Sequence, residues 1–373
     1  MAFARTYRAA LPTLFGFVAL GLFWGAWASV LPSVQRATNV SKGALGFALL
    51  FVTVGSLPSM FFLARPAVDR FGGRTATVSC ALFAAATTLP GLATSLPALA
   101  GTLFLAGAAS GALDVGINAN AAALESAESR RLMPLAHGLY SAGVLLGAVA
   151  AGLARAAGVH REPILLVVAA VIALAAALLA LDRQADHVLG AAAEPAPRIR
   201  IPRALLAIGA VGALAFMIEG GSESWSALFL ERQLHAHPGV SGLGPGVFGA
   251  SMAVGRFYGQ ATRFGDRALL AGGALVAAAG CAVVAGAPGA WAALLGLALA
   301  GIGIALNAPI LFGAAGRVAP SAVATVTTLG YVGLLVGPPL VGGIAQLTNL
   351  RGSFLLLAAA AAGVAAAASR LRL

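Results

Sequence analysis

Asp114 and Asn118 stand one helical turn apart inside a long apolar stretch of the sequence, so their side chains would share one face of a helix. An ionisable group in such a stretch is costly unless a partner or a water-filled cavity stabilises it. A carboxyl group that faces a cavity can exchange a proton near neutral pH, whereas one held between helices is structural. We favour the cavity, with Asp114 as a proton-coupling residue and Asn118 as a solute ligand.

Two more carboxyl groups, Glu219 and Glu223, are one turn apart in another apolar stretch, with Gly220 and Gly221 between them. The two glycines weaken a helix, and transporters use such breaks to expose backbone groups to a solute. Neighbouring carboxyl groups can also share one proton. We therefore predict proton coupling at both glutamates, with a wetted or gating position near the outer mouth as the alternative for Glu223.

His137 and Tyr140 lie near the start of a further apolar stretch, at a depth similar to that of Asp114. Histidine changes charge near physiological pH and can relay protons, although a histidine near a helix end is often a hydrogen-bonded interfacial residue. We include His137 among the proton-coupling candidates and Tyr140 among the solute ligands, and both roles for His137 stay open.

Three tryptophans and one arginine also lie within apolar stretches: Trp24, Trp27, Trp225 and Arg256. The indole rings could stack on a sugar, or could serve the packing and interfacial anchoring for which membrane proteins commonly use tryptophan. Arg256 requires an anionic partner or an aqueous cavity. It would recognise an anionic solute or, as we favour, act as a conformational lock, and we place it among the gating residues.

The sequence lacks the motifs of several classes of activity. No Gly-x-x-x-x-Gly-Lys-Ser/Thr loop occurs, so ATP hydrolysis is not the expected energy source. No His-Glu-x-x-His or paired-cysteine spacing occurs either, and we predict no metal site and no cofactor. A membrane-embedded transferase or hydrolase built on Asp114, His137 and the glutamates is disfavoured, because these groups are scattered and no nucleophile–base motif accompanies them. We predict that the chain is not an enzyme.

The elements that must position these groups are membrane-spanning helices. The chain is 60% hydrophobic and 9% charged, whereas a soluble protein carries about 25% charged residues, so lipid must be its solvent. Apolar runs of the required length of about 20 residues predict an all-α protein with twelve spans. The predicted spans are 11–34, 42–64, 75–95, 97–124, 132–156, 163–181, 204–230, 242–262, 268–287, 289–312, 321–346 and 353–370.

A polar stretch at 183–203, rich in proline and arginine, divides these spans six and six. We predict an N-terminal bundle at 1–182, a cytoplasmic linker at 183–203 and a C-terminal bundle at 204–373. The net charge of +11 comes from basic residues that fall in short clusters between apolar runs. Their bias towards alternate loops predicts that both termini are cytoplasmic, and their dispersal argues against a nucleic-acid partner.

The two halves repeat short patterns at a constant spacing of 193 residues. Arg70-Phe-Gly-Gly-Arg74 corresponds to Arg263-Phe-Gly-Asp-Arg267, and Asp114 corresponds to Asn307. These matches predict a duplicated six-helix unit, which is a transporter architecture. Asn307 is accordingly a candidate hydrogen-bonding ligand for a solute. Near the same spacing, Gly143 and Gly147 correspond to Gly333 and Gly337, which predicts close helix contacts in both halves.

The run Asp69-Arg70-Phe-Gly-Gly-Arg74 resembles the loop signature of the major facilitator superfamily, with Arg65 where the family's leading glycine is usual. Asp114-x-x-x-Asn118 resembles an element of its fucose-permease-like branch, and Glu219 to Ser226 is similar to a stretch of bacterial sugar-permease-like members. The resemblance implies two pseudo-symmetric six-helix bundles that open alternately to either side of a central cavity. It also implies that loop residues tie the two bundles together in one conformational state. On this basis the predicted gating residues are Asp69, Arg70, Arg74, Arg263 and Arg267.

Together these observations predict a secondary transporter, acting as a monomer in the bacterial inner membrane, that carries a small polar solute such as a sugar or related metabolite. The resemblance implies proton-coupled symport through Asp114. The first span lacks the acid that many members of the branch carry there, which leaves uniport open. Two competing functions also stay open: proton-driven efflux of drugs or amphipathic compounds, and a membrane sensor or assembly role without transport.

Overall fold

The computed structural model describes residues 2–63, 70–128, 132–181 and 203–371, and these residues are almost entirely helical, with no β-strand among them. We number thirteen longer helices. They are α1 (Ala2–Thr38), α2 (Lys42–Pro58), α3 (Thr75–Leu92), α4 (Leu96–Glu128), α5 (Met133–Ala156), α6 (Arg161–Ala180), α7 (Arg203–Arg232), α8 (Leu243–Ala261), α9 (Asp266–Gly286), α10 (Ala290–Ile304), α11 (Asn307–Val318), α12 (Pro320–Leu347) and α13 (Leu350–Ala368). A π-helical turn, Ser59–Leu63, extends α2.

In the part of the chain that the structure describes, eleven helical stretches are long and apolar enough to cross a membrane. One of them, Ala290–Val318, combines α10 and α11. Helix α8 has 19 residues, contains Arg256 and occupies the position of the eighth predicted span. The prediction of an all-α membrane protein with twelve spans is confirmed. Of the predicted linker, only Arg203 falls within the described residues, where it begins α7.

The described helices form two compact units. The first unit consists of Met1–Val40 and Phe51–Ala193, and the second consists of Ser41–Leu50 and Glu194–Leu373. The start of α2 joins the second unit because it packs on α12, where a Cβ added to Gly46 would overlap the carbonyl oxygen of Pro338. The predicted division at 183–203 remains a prediction, and each unit is described by itself.

Glycines bring helices into backbone contact within each unit. In the first unit a Cβ added to Gly147 of α5 would overlap the carbonyl oxygen of Leu22 in α1, and one added to Gly143 would overlap that of Val18. In the second unit a Cβ added to Gly333 of α12 would overlap the carbonyl oxygen of Ala213 in α7. The predicted close helix contacts are therefore confirmed in both units. They follow from the absence of a side chain at these positions.

The two units also share a helix cap that the sequence did not reveal. Arg161, at the start of α6, donates from Nε to the carbonyl oxygen of Gly91 near the end of α3 at 2.7 Å. Arg351, at the start of α13, donates to the carbonyl oxygens of Ala285 and Ala287 at the end of α9, at 2.6 and 2.8 Å. The last carbonyls of a helix lack partners within it, and a cation is favourable at that end. The repetition of this cap supports a duplicated six-helix unit.

Replacing Arg351 with Gln should lower the stability of the second unit. The change leaves the carbonyl oxygens of Ala285 and Ala287 without their charged donor, at a cost of about 1–3 kcal/mol. Thermal unfolding of the detergent-solubilised protein measures the effect. Arg370→Gln removes the same charge from an exposed side chain two residues after the end of α13 and is the matched control. An equal change in both variants would contradict this role of Arg351.

Candidate functional site

The carboxyl group of Asp114 lies on α4 and is bound by the amide of Asn118. The Nδ2 of Asn118 donates to the carboxyl oxygen Oδ1 of Asp114 at 3.0 Å and to its backbone oxygen at 2.8 Å. Both side chains are half-buried. The shared helix face is therefore observed. Within the described residues Asn118 is the only hydrogen-bond partner of this carboxyl group, and no ion pair stabilises its charge.

His137 and Tyr140 lie on α5 of the same unit. The imidazole of His137 is exposed and meets the ring of Phe17 edge-on, with ring centroids 5.5 Å apart. Tyr140 is half-buried, and the hydroxyl of Ser141 donates to the backbone oxygen of His137 at 3.2 Å. The geometry gives His137 an aromatic partner and an accessible ring, which is compatible with both of the roles considered for it.

The two tryptophans of α1 belong to an aromatic cluster around Phe23. That ring meets Trp24 edge-on at 4.9 Å, stacks with Trp27 at 6.4 Å and meets Phe83 of α3 edge-on at 5.1 Å. Trp27 is buried, whereas Trp24 is half-buried and keeps an accessible face. Trp225 of α7 is fully buried in the second unit. The indole nitrogen of Trp225 has no hydrogen-bond partner among the described residues. The solute-binding role of all three tryptophans remains a prediction.

The second unit contains an ion pair between Glu219 of α7 and Arg256 of α8, with 3.7 Å between Oε1 and Nη2. Both side chains are half-buried. Glu223, one turn further along α7, interacts electrostatically with both of these groups. The sequence paired Glu219 with Glu223, but it did not pair either glutamate with Arg256. Charge balance could have predicted this pair, because Arg256 requires an anionic partner and the two glutamates are acids in the same half of the chain.

Arg256 has a second contact, at the junction of α10 and α11. Its Nε donates to the carbonyl oxygen of Ala305 at 3.3 Å. In a continuous helix that oxygen would accept from the backbone N–H of residue 309, but residue 309 is proline and has no N–H. The helix accordingly divides between Ile304 and Asn307. Arg256 thus supplies a donor that Pro309 removes from the helix.

Asn307 is the first residue of α11 and is only 1% exposed. Neither its Nδ2 nor its Oδ1 has a hydrogen-bond partner among the described residues. A buried amide that makes no hydrogen bond is costly, and a polar solute could supply both a donor and an acceptor. This placement supports the predicted role of Asn307 as a solute ligand, which remains a prediction.

Replacing Asn307 with Leu should separate stability from transport. The variant should unfold at the same or a higher temperature than the wild type, because an apolar group of similar size removes a buried unpaired amide. Its KM for the solute should rise about 30-fold, which corresponds to two lost hydrogen bonds of about 1 kcal/mol each. Thermal unfolding and solute uptake measure the two effects. A lower unfolding temperature with unchanged KM would show that Asn307 is structural.

Two buried polar residues of the first unit were not among the predicted site residues. Asn120 of α4 is 4% exposed, and neither polar atom of its side chain has a partner in the described part of the chain. Arg155 of α5 is 8% exposed and donates to the hydroxyl of Ser33 at 2.9 Å and to the backbone oxygen of Ser29 at 2.8 Å. No motif in the sequence singled out Asn120.

Apart from Arg256, the predicted gating residues in the described part of the chain lie at helix ends or between helices. Arg70, Arg74 and Arg263 have exposed side chains, and Asp69 lies outside the described residues. Arg267 is exposed at the start of α9 and donates to the backbone oxygen of Leu371 at 2.6 Å. The gating role of these residues remains a prediction.

Across 2–63, 70–128, 132–181 and 203–371, no group of three or more His, Cys, Asp or Glu residues could hold a metal ion. Both cysteines, Cys80 and Cys281, are buried free thiols.

The sequence matches the family model of the Major Facilitator Superfamily over residues 13–320, which is most of the chain. The chain belongs to this superfamily. It is therefore a multi-pass integral membrane transporter of the major facilitator type, and such transporters are generally not enzymes.

Relatives of this major facilitator protein match it along almost its whole length. An uncharacterized MFS-type transporter of Yersinia pestis is 33% identical over 374 residues, which cover 95% of this chain and 94% of the relative. The membrane protein MosC of Rhizobium meliloti is 32% identical over 363 residues, which cover 95% of this chain and 88% of that protein. This level of identity over nearly full length agrees with the family assignment.

Solved structures agree with the major facilitator fold. A point mutant of the nucleoside transporter NupG superposes with a TM-score of 0.79 at 12% identity, and the match covers 98% of this chain and 100% of its own. A bacterial homolog of the human lysosomal transporter Spinster, in an inward-facing and unoccupied conformation, gives a TM-score of 0.75 at 16% identity, with 98% and 97% covered. At these identities the likeness concerns the fold alone.

Proposed function

We propose that this transporter carries a small polar solute by alternating access and couples its movement to protons as a symporter. The observation that supports this proposal is Asp114, a half-buried carboxyl group in a spanning helix that has a neutral amide and no cation as its described partner. A bare carboxylate is costly when a cavity closes and loses its water. Binding a proton removes that cost, so the protonated form would favour the closed state.

The two glutamates would have different roles in this mechanism. The charge of Glu219 is balanced by Arg256 at 3.7 Å, so its ionised form is less costly than that of Asp114. Glu223 interacts electrostatically with both groups of that pair. Two carboxyl groups therefore share one cation, so one of the two charges is not balanced. We place the principal coupling proton on Asp114 and a second candidate site on the glutamates.

The solute would be a hydrogen-bonding molecule. Asn118, Tyr140 and Asn307 supply donors and acceptors, and Trp24 supplies an accessible aromatic face. Arg256 is compensated by Glu219, which disfavours recognition of an anionic solute. The motifs that resemble the fucose-permease-like branch support a sugar or related metabolite. Because the fold is similar to that of a nucleoside transporter, nucleosides belong in the same test.

Efflux of an amphipathic compound is the second candidate. The aromatic cluster of Phe23, Trp24, Trp27 and Phe83 would suit such a compound through its accessible Trp24 face.

The proposed location is the bacterial inner membrane, and the distribution of basic residues supports an orientation with both termini cytoplasmic. We propose a monomer as the transporting unit.

The test is a solute screen in proteoliposomes that contain an internal pH dye. Sugars, sugar acids and nucleosides are added outside, and the proposal expects at least one of them to evoke proton influx that protein-free liposomes lack. Counterflow of a labelled solute without proton movement would overturn coupling and leave uniport. If no solute moves, and an amphipathic dye is extruded along a proton gradient, the protein is an efflux transporter.

A further inference from the structure

The second unit contains a chain of contacts from Glu219 on α7, through Arg256 on α8, to the divided helix formed by α10 and α11. Arg256 contacts both ends of this chain, with Nη2 at 3.7 Å from the carboxyl oxygen of Glu219 and Nε at 3.3 Å from the carbonyl oxygen of Ala305. The two contacts use different nitrogens of one planar guanidinium group. A displacement of that group towards one partner therefore alters its contact with the other.

The contact with Ala305 matters because Pro309 leaves its carbonyl oxygen without the usual backbone donor. Arg256 is the described group that donates to it. Asn307, whose buried amide has no described partner, lies two residues after Ala305 and two before Pro309. The position of Arg256 therefore affects the backbone of the segment in which Asn307 begins α11.

The contact with Glu219 is electrostatic rather than a direct hydrogen bond, because 3.7 Å exceeds hydrogen-bond length. Its strength depends on the charge of the carboxyl group, and neutralising Glu219 removes it. Helix α8 packs against α7 and α10. The acidic groups that face Arg256 from α7 are Glu219 and Glu223, and α10 contains no ionisable side chain.

We propose that Arg256 is a positioning residue that transmits the charge state of Glu219 to the junction between α10 and α11, and thereby to Asn307. When Glu219 is ionised, it holds the guanidinium group between α7 and the carbonyl oxygen of Ala305. When Glu219 is neutral, the group is free to leave that oxygen, and the junction between α10 and α11 loosens. The link itself is independent of any solute, and its use in transport rests on the proposed function.

Hydrogen–deuterium exchange of the full-length protein in nanodiscs, without solute, tests the link. Arg256→Gln and Glu219→Gln should each speed exchange of the backbone amides in 305–313 about fivefold, which corresponds to one lost hydrogen bond. The double variant should show no more than the single variants, because both act through one contact chain. Arg370→Gln, which removes an exposed charge just after α13, is the control and should leave exchange in this segment unchanged.

Pro309→Ala separates positioning from general structural support. Alanine at position 309 restores a backbone N–H that can donate to the carbonyl oxygen of Ala305, so that oxygen no longer depends on Arg256. Adding Arg256→Gln to Pro309→Ala should then change exchange in 305–313 by less than about twofold. A fivefold effect in both backgrounds, or additive effects of the Glu219 and Arg256 variants, would overturn the proposal.

Two further outcomes keep the test decisive. If Arg256→Gln does not fold, Glu219→Gln carries the test alone, because it leaves Arg256 in place; unchanged exchange in 305–313 would then overturn the proposal. A protein that shows the coupled exchange pattern but no solute-dependent proton movement keeps the Arg256 link and loses the proposed symport function, so the two failures are distinguishable.

Discussion

Asp114→Asn should abolish solute-evoked proton influx in proteoliposomes, reducing it to the rate seen without protein. Asparagine has nearly the same shape as aspartate and can still hydrogen-bond Asn118, but it cannot bind or release a proton. Exchange of labelled for unlabelled solute across the membrane should persist, because it requires no net proton movement. The expected result is therefore a transporter that has lost coupling while it keeps its solute site.

Glu162→Gln is the matched control for this substitution. Glu162 lies at the start of α6, where its carboxyl group pairs with Arg161 at 2.8 Å, and it has no place in the proposed pathway. Proton influx in this variant should equal that of the wild type. If influx survives in Asp114→Asn, the coupling proton binds elsewhere, and the same assay on Glu219→Gln and Glu223→Gln would identify the carboxyl group responsible.

Gly147→Val should destabilise the first unit by about 3 kcal/mol or more. A Cβ at this position overlaps the carbonyl oxygen of Leu22, so α1 and α5 must separate, and overpacking of this kind typically costs about 1–3 kcal/mol even where side chains can adjust. Here the obstacle is backbone, which cannot move out of the way alone. The measurement is thermal unfolding together with the monodisperse fraction in size-exclusion chromatography.

Gly138→Val on the same helix is the control. A Cβ at Gly138 meets nothing within 4 Å, and valine has a higher helix propensity than glycine. Its unfolding temperature should therefore equal or exceed that of the wild type. Equal losses of stability in the two variants would show that the contact between α1 and α5 does not determine the effect.

Hydropathy and spacing accounted for most of the fold. Twelve spans follow from apolar runs of the length that a bilayer requires, and the glycine spacing in α5 and α12 was enough to predict close contacts with neighbouring helices. The junction between α10 and α11 was not predicted, although Pro309 was its visible cause. A proline within a span is tolerated when another helix supplies the missing donor, and the identity of that donor is a tertiary fact.

The candidate site divides in the same way. Asp114 and Asn118 contact one another because residues four apart on a helix are neighbours, so local periodicity was sufficient. Glu219 and Arg256 are separated by 37 residues and lie on different helices, and no local rule pairs them. Nor did any rule distinguish Trp24, which keeps an accessible face, from Trp27, which the neighbouring rings cover.

The sequence by itself determined that this chain is embedded in lipid, that its spans are helices, and which of its few ionisable groups needed partners there. Those conclusions depend on composition and on helical periodicity, both of which are local properties. The same periodicity already gave Asn118 as the partner of Asp114. The tertiary structure decided the other partners: Glu219 and the Ala305 carbonyl for Arg256, and no described partner for Asn307. The reason is that helices pack through small faces, and their rotation and depth against one another set which side chains meet.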